Sequence, residues 1–192
     1  VNQGLVHQVS AMYQFDRIQR EAGQSAKAEA EARAAVYRSV YADAADFEEI
    51  DLLTSPYSDW APTDESVVLN AVLKAKDDGG QNVGYVIDVT SKNGYGGDVQ
   101  MAVGITNEGE ITAFSVVSHS ETPGLGARAT ESEFADQFSG LSALTAISFS
   151  KTGANRDNNE IDAISGATIT TTAVTNAVNQ AIALFNDVLK GV

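Results

Sequence analysis

The middle of the chain alternates hydrophobic and polar residues with the period of β-strands. Within one segment Tyr85, Ile87 and Val89 share a face, as expected of a half-buried strand. The sequence Asn107-Glu108-Gly109 is typical of a β-hairpin turn. Because the segments follow one another closely and are separated by turn residues, they predict an antiparallel sheet. The strand predictions are residues 67–76, 83–91, 99–106 and 110–118, with a further strand at 143–150.

Both ends of the chain have helical patterns. Residues 10–41 are rich in alanine and other good helix formers, with Gly23 as a weak point. Residues 171–190 carry apolar side chains three and four positions apart, which predicts one buried stripe. That stripe consists of Val174, Ala177, Val178, Ala181, Ile182, Phe185, Val188 and Leu189. Gly191 follows, where a helix stop is expected.

Strands grouped in the middle with helices at both ends predict an α+β fold rather than alternating α/β. We expect an antiparallel sheet core, a long N-terminal helix and a C-terminal helix that follows the Asp162–Thr168 loop. Residues 1–66 are interpreted as a helical stalk with a lead-in, and residues 67–192 as the functional domain. One compact domain overall is the simplest organisation for a chain of 192 residues.

Charge and composition narrow the function classes. The chain has 12 basic and 26 acidic residues, a formal net charge of −14, which disfavours nucleic acid as a partner. It has no cysteine, so thiolate-held iron–sulfur clusters are excluded. The two histidines, His7 and His119, are too far apart in sequence to indicate a metal site. No apolar run reaches the length of a membrane span. Because the chain begins with Val, we expect an anchor or leader to have preceded it.

Candidate chemistry concentrates in the segment Asp162-Ala163-Ile164-Ser165-Gly166-Ala167-Thr168. It places hydroxyl groups among small residues just before the C-terminal helix. The N-terminus of a helix exposes unpaired N–H groups and can hold a phosphate. Gly166 and Ala167 let a ligand approach the backbone closely. The alternative is an ordinary helix start with Ser165 or Thr168 as the cap.

A second unusual segment is His119-Ser120-Glu121-Thr122-Pro123-Gly124-Leu125-Gly126. Pro123 restricts one backbone angle while the two glycines allow angles closed to other residues. The loop can therefore present Thr122 and backbone amides to a ligand at short range. A plain Pro-Gly turn after a strand is the simpler interpretation of the segment taken alone.

Together the two segments resemble the RnfG and NqrC proteins, which carry flavin mononucleotide (FMN) as subunits of related respiratory complexes. The resemblance implies FMN joined to Thr168 through a phosphoester, with Ser165, Gly166 and Ala167 around the phosphate. It implies that Asp162 assists the modifying enzyme or orients the acceptor loop. The loop residues Glu121, Thr122, Pro123, Gly124, Leu125 and Gly126 are then expected to bind the flavin or its ribityl chain.

Two smaller features bear on the same site. Gly94-Tyr95-Gly96-Gly97-Asp98 is a glycine-rich turn that either brings Tyr95 near the flavin ring or is a flexible hairpin loop. The run Thr170–Thr172 could add hydroxyl contacts. His119 is as well explained by a structural hydrogen bond at a strand end as by proton transfer.

A dinucleotide-binding interpretation rests on Gly124-Leu125-Gly126-Ala127-Arg128-Ala129, which matches G-x-G-x-x-G/A. That fingerprint requires a strand, a turn and a helix within a βαβ unit. Here a helix is predicted only at 131–138, with Thr130 and Glu133 as a capping box. We therefore expect no direct NAD site.

The resemblance implies an electron-relay subunit of a membrane complex that couples ferredoxin and NAD redox chemistry to Na⁺ or H⁺ translocation. It implies an N-terminal anchor absent from this chain, an extracytoplasmic domain, and as partners the remaining subunits and a flavin transferase. No residue of this chain is expected to be catalytic by itself. His119-Ser120-Glu121 favours RnfG over NqrC, which belongs to the Na⁺-translocating NADH:quinone reductase. An FMN-binding sensor domain and a scaffolding domain without cofactor are two further hypotheses.

Overall fold

The computed structural model describes the backbone of residues 3–191 and the side chains of residues 22–191. Two compact units are present, residues 1–35 and residues 36–192. The first helix, α1, spans Gln3–Val40. In the first unit its side chains are exposed from residue 22 to residue 33, and Lys27 pairs with Glu31 at 3.9 Å. Gly23 does not interrupt the helix, because the alanine-rich sequence around it favours helix strongly.

The second unit is built on one antiparallel sheet of five strands in the order β1-β2-β3-β4-β5. The strands are β1 Asp46–Glu49, β2 Val67–Lys76, β3 Asn82–Ser91, β4 Val99–Thr106 and β5 Ile111–His119. The predicted strands of the middle segment are therefore confirmed within one residue. The domain boundary at residue 66 stays a prediction, and β1, from the lead-in, pairs with β2.

The two faces of the sheet bury different sets of side chains. On one face Tyr85, Ile87 and Val89 lie in the larger core, and on the other Val86 lies in a smaller core with Tyr37, Val40 and Tyr41 at the end of α1. Asp88 is fully buried on this second face, where it accepts hydrogen bonds from Tyr37, Asn70 and Gln100. The period-two alternation of β3 separates these two sets.

The C-terminal helix covers the larger core. This helix, α3, spans Thr168–Leu184 and continues as a wider π-helical turn, Phe185–Leu189. Gly191 ends it with φ +101°, as predicted. Seven of the predicted stripe residues are buried and Val188 is half-buried. The prediction of a start near Thr171 is wrong by one turn, because a tight turn at Ile164–Ala167 delivers the chain directly into the helix at Thr168.

The segment between β5 and α3 differs most from the sequence predictions. It contains a 3₁₀ turn at Gly126–Thr130, a short helix α2 at Ser132–Ala135, and the strands β6 Ser148–Ser150 and β7 Glu160–Asp162, which pair in parallel. The predicted strand 143–150 is thus real only at its end. In its earlier part the backbone carbonyls bond to a side chain and not to another strand. The Asn159 amide donates to the carbonyls of Ser142, Thr145 and Ala146.

The capping box predicted before α2 is wrong. Thr130 donates its hydroxyl back to the carbonyl of Ala127 at 2.9 Å. Glu133 forms an ion pair with Arg128 at 3.3 Å. Both side chains are therefore engaged before they could cap the helix, whose N-cap position is occupied by Glu131.

Across residues 3–191 the structure contains no helix with the length and apolar character needed to cross a bilayer.

Candidate functional site

The turn that leads into α3 has a specific backbone geometry. The N–H of Ala167 donates to the carbonyl of Ile164 at 3.0 Å, and Gly166 has φ +77°. A positive φ at the third residue is the requirement of a type II turn, which glycine meets without strain. Gly166 therefore meets the backbone requirement of the Ile164–Ala167 turn.

Thr171 fastens the same turn to the helix. Its hydroxyl accepts from the N–H of Ile164 at 3.1 Å and donates to the carbonyl of Ala167 at 3.0 Å. Thr171 is fully buried. The Ile164–Ala167 turn is consequently held by a side chain one turn into the helix.

The helix start carries no cap from its own N-cap residue. Ala167 occupies the N-cap position, its side chain accepts no hydrogen bond, and the first turn contains no acidic residue. Helices usually satisfy one or two of their first N–H groups with a Ser, Thr, Asp or Asn cap. Here the half-buried Thr168 hydroxyl lies in the first turn, beside the positive end of a helix of 17 residues. An anion attached to Thr168 would be favoured by that position.

A cleft of about 390 Å³ opens next to this helix start. Three segments line it: the glycine-rich turn after β3, the loop after β5, and the turn with the first residues of α3. The lining residues are Tyr95, Thr122, Leu125, Gly126, Gly166, Ala167, Thr168, Ile169 and Thr170. The volume lies within the range of roughly 300–1,000 Å³ typical of small-molecule sites.

Apolar side chains stand exposed at this cleft. Tyr95 is 69% exposed, Ile169 54% and Leu125 43%. They account for three of the six large hydrophobic residues that are exposed among the described side chains. An apolar cleft with a hydroxyl and a helix N-terminus at one side matches a ligand that has a flat ring at one end and a phosphate at the other. FMN is such a ligand, and these residues fit it.

Comparison with known proteins agrees with this geometry. Residues 94–183 match the FMN-binding domain family. The G subunit of the Na⁺-translocating ferredoxin:NAD⁺ oxidoreductase complex of Acetobacterium woodii is 40% identical over 111 residues, which are 58% of this chain and 53% of that protein. The G subunit of the ion-translocating oxidoreductase complex of Methanosarcina acetivorans is 34% identical over 155 residues, 80% of this chain and 75% of that protein.

The chain belongs to the RnfG/NqrC family of FMN-binding proteins. Among solved structures, that of NqrC from Shewanella oneidensis superposes with a TM-score of 0.54 at 20% identity, covering 76% of this chain and 81% of that one. At this identity the likeness concerns the fold, and it agrees with the α+β architecture described above. The chain spans only about half the length of the Acetobacterium protein.

The structure brings most of the family-motif residues together at the cleft. Tyr95, Thr122, Leu125, Gly126, Gly166, Ala167 and Thr168 all line it. Pro123 and Gly124 are exposed, and Gly124 has φ +73°. Ser165 is exposed in the turn that precedes α3. Ile169 also lines the cleft but is missing from the residues predicted from sequence. Its position as an apolar residue next to the threonine run could have indicated it.

The two acidic residues of the motifs, Asp162 and Glu121, also lie outside the cleft lining. The Asp162 carboxylate accepts from the N–H of Ala154 at 2.8 Å, so it bonds the preceding loop and not the Ile164–Ala167 turn. Glu121 is 5% exposed and lies behind the cleft wall. His119 accepts the N–H of Glu121 on Nδ1 at 3.0 Å, a structural hydrogen bond at the end of β5.

The dinucleotide-binding interpretation finds no support in the local geometry. Gly124–Ala129 does not follow a parallel strand, because β5 pairs antiparallel with β4. Gly126 begins a 3₁₀ turn of five residues and no long helix. The backbone amides are thus not arranged around a helix N-terminus as the fingerprint requires.

Proposed function

We propose that this chain is an electron-relay flavoprotein subunit whose FMN is joined to Thr168 by a phosphoester. The observation that carries the proposal is the position of the Thr168 hydroxyl, in the first turn of α3 and on the wall of the apolar cleft. Thr168 is the attachment point and not a catalytic nucleophile. The covalent link, the site residues and the assembly are all part of the proposal.

The uncapped start of α3 supports the position proposed for the FMN phosphate. A phosphate on the Thr168 oxygen is within reach of the first N–H groups of α3 and replaces the missing cap. Ser165 and Gly166, the residues of the turn that precede Thr168, are exposed. The loop keeps its geometry before attachment because Thr171 holds it.

The exposed apolar residues of the cleft support the position proposed for the flavin ring. Tyr95, Leu125 and Ile169 offer surfaces on which a tricyclic ring can pack, and their exposure leaves the ring reachable by a partner. Bound FMN supplies transfer of one or two electrons. The chain itself contributes position, a partly apolar environment and access. A covalent link suits an exposed site, since a tethered cofactor keeps a high effective concentration.

The names of the relatives support a place in a larger assembly. Their complexes are named as ion-translocating and, for the Acetobacterium protein, as a ferredoxin:NAD⁺ oxidoreductase. We propose the same setting here: a membrane complex that couples ferredoxin and NAD redox chemistry to Na⁺ or H⁺ translocation, with this domain on the extracytoplasmic side. Its partners are then the remaining subunits and, during maturation, a flavin transferase. An NqrC-like role is the second candidate, because the two motifs resemble NqrC as well as RnfG.

The decisive experiment is to express the chain together with a flavin transferase and denature it. We expect fluorescence of a covalent flavin in the gel, the intact mass of an FMN phosphoester, and a modified peptide that contains Thr168. Thr168→Ala should abolish all three signals and leave a folded protein.

Two matched controls separate Thr168 from its neighbours. Ser165→Ala removes the other hydroxyl of the turn, and Thr172→Ala removes an exposed hydroxyl one helical turn later that donates to the Thr168 carbonyl at 2.8 Å. Both variants should still be labelled. Covalent flavin on Thr168→Ala, or its loss only from Ser165→Ala, contradicts the proposed attachment. A colourless wild-type chain made with an active transferase contradicts the flavoprotein assignment itself.

A further inference from the structure

Glu121 is an unusual acidic residue because it is buried and fully engaged by the protein. Among the described side chains the buried acidic residues are Asp88 and Glu121. Oε1 of Glu121 accepts from the N–H of Gly96 at 2.8 Å. Oε2 accepts the hydroxyl hydrogen of Thr170. Both oxygens thus have protein partners, while the expected contact of Glu121 with the flavin stays a prediction.

Glu121 and its two partners belong to the three segments that line the cleft. Gly96 follows Tyr95 in the turn after β3, and Thr170 lies in the first turn of α3, two residues after Thr168. Glu121 itself begins the loop after β5, which supplies Thr122. These segments are 25 and 49 residues away from Glu121 in sequence. One carboxylate therefore joins them directly.

Three glycines approach Glu121 and its loop so closely that a side chain on any of them would clash. A Cβ on Gly94 would lie 2.7 Å from Oε1, and a Cβ on Gly126 would overlap Oε2. A Cβ on Gly96 would overlap the carbonyl oxygen of Ser120. Glycine at these positions lets the backbone pack closely around the carboxylate. Backbone conformation does not require glycine there, since Gly94, Gly96 and Gly126 are not among the residues with positive φ.

We infer that Glu121 is a positioning residue that preforms the FMN cleft by fastening the Tyr95 turn and the Thr168 turn of α3 to one point. A buried carboxylate that lost one partner would be costly to keep, so the three segments hold one another in a single arrangement. Sites of this kind work best when residues behind the lining fix the residues that touch the ligand. The part of this inference that concerns loading with flavin rests on the function proposed above.

Thr170 offers the sharper test, because replacing the buried Glu121 can disturb folding. Thr170→Val removes the hydroxyl at nearly constant shape, whereas Thr170→Ser keeps it. Thr175→Val is the matched control: Thr175 is buried in the same helix, but its hydroxyl donates only to the Thr171 carbonyl at 2.8 Å. Glu121→Gln retains an acceptor for Gly96 and serves as the conservative variant beside Glu121→Ala.

The first measurement needs no flavin. Amide hydrogen exchange is followed at Gly96 in the unmodified chain. We expect exchange at this amide to become about tenfold faster or more in Thr170→Val and Glu121→Ala. It should stay near wild type in Thr170→Ser and Thr175→Val, with urea unfolding as the check that each variant is folded.

The second measurement is the initial rate at which a flavin transferase and flavin adenine dinucleotide label Thr168. Thr170→Val should be labelled about tenfold more slowly or worse, with substantial rescue in Thr170→Ser and no loss in Thr175→Val. If Thr170→Val matches Thr175→Val in both measurements, the inference is wrong even when Thr168 carries the flavin. Faster exchange at Gly96 in Thr170→Val with an unchanged labelling rate also overturns the inference. That result would mean that labelling of Thr168 does not depend on the hydrogen bonds of Glu121.

The two proposals fail in different ways. Absence of label on the wild-type chain contradicts the proposed function. The exchange comparison at Gly96 then still decides whether Glu121 holds the two segments together.

Discussion

Replacing Gly126 by alanine tests the packing of the site most directly. Gly126 is buried and begins the 3₁₀ turn after the Thr-Pro-Gly-Leu sequence. A Cβ at this position would overlap Glu121 Oε2, and would lie 2.5 Å from Thr170 Oγ1 and 3.0 Å from Glu121 Cβ. Two side chains and the turn itself are too close for the methyl group to be accommodated without movement.

The cost follows from the two ways in which the site can respond. Keeping the carboxylate in place forces the backbone of the turn to move, an overpacking cost of about 1–3 kcal/mol. Moving the carboxylate instead breaks its bond with Thr170, and hydrogen bonds to charged groups contribute about 1.5–3 kcal/mol. Since the site adopts the cheaper of these two responses, Gly126→Ala should lower the free energy of unfolding by about 1–3 kcal/mol.

Urea unfolding of the unlabelled chain, followed by circular dichroism, measures this loss. Gly124→Ala is the matched control, because a Cβ there meets open space but φ is +73°. Its cost should be the backbone strain alone, about 1–2 kcal/mol. In the Glu121→Ala background the clash with Oε2 is gone, so Gly126→Ala should cost less there than in the wild type.

The reasoning is refuted if Gly126→Ala unfolds within about 0.5 kcal/mol of the wild type, the range of an ordinary surface substitution. It is also refuted if the losses from Gly126→Ala and Glu121→Ala simply add. Additivity would mean that the two residues do not contact each other as the structure indicates.

Two further predictions concern the opposite face of the sheet and the response to alkali. Tyr37→Phe removes a hydrogen bond of 2.8 Å to the buried Asp88 and should lower the free energy of unfolding by about 1.5–3 kcal/mol. Tyr41→Phe removes a hydrogen bond of 2.7 Å to a neutral carbonyl and should lower it less, by about 0.5–1.5 kcal/mol. Equal urea midpoints for the two variants would contradict this difference. Burial raises the pKa of Tyr41 and of Tyr85 above the ordinary 10.0. The folded chain then keeps these protons where the unfolded chain has lost them, so stability is complete below pH 10.0 and falls as the pH rises through the folded values. The urea midpoint should drop as the pH rises above 10.0, and an equal drop in a variant with both tyrosines replaced by phenylalanine would assign it to other groups.

Short-range pattern predicted much of the framework. The strands at 67–76 and 99–106 were predictable to the residue, because alternation and turn residues are properties of neighbouring positions. The stripe of α3 was predictable for the same reason. The resemblance of two short motifs to a family supplied the cofactor and its proposed attachment residue, which no periodicity indicates.

Predictions were wrong where distant side chains decide the backbone. Residues 143–147 contain enough apolar side chains for a strand, yet the amide of Asn159 takes up the carbonyls of Ser142, Thr145 and Ala146. The start of α3 depends on the turn that Thr171 fastens to the helix. In both cases the hydrogen bonds that decide the backbone come from a side chain further along the chain, which a local pattern does not register.

By itself, then, the order of residues determined the elements of the sheet, the buried stripe of the last helix and the identity of the two motifs, since each depends on neighbours along the chain. Only the tertiary structure decided that Glu121 binds Gly96 and Thr170, and that Tyr95, Leu125 and Ile169 meet at one cleft. The physical reason is that a buried carboxylate takes whichever donors the folded chain brings to it. Those donors come from segments whose approach is set by the packing of the whole sheet and helix.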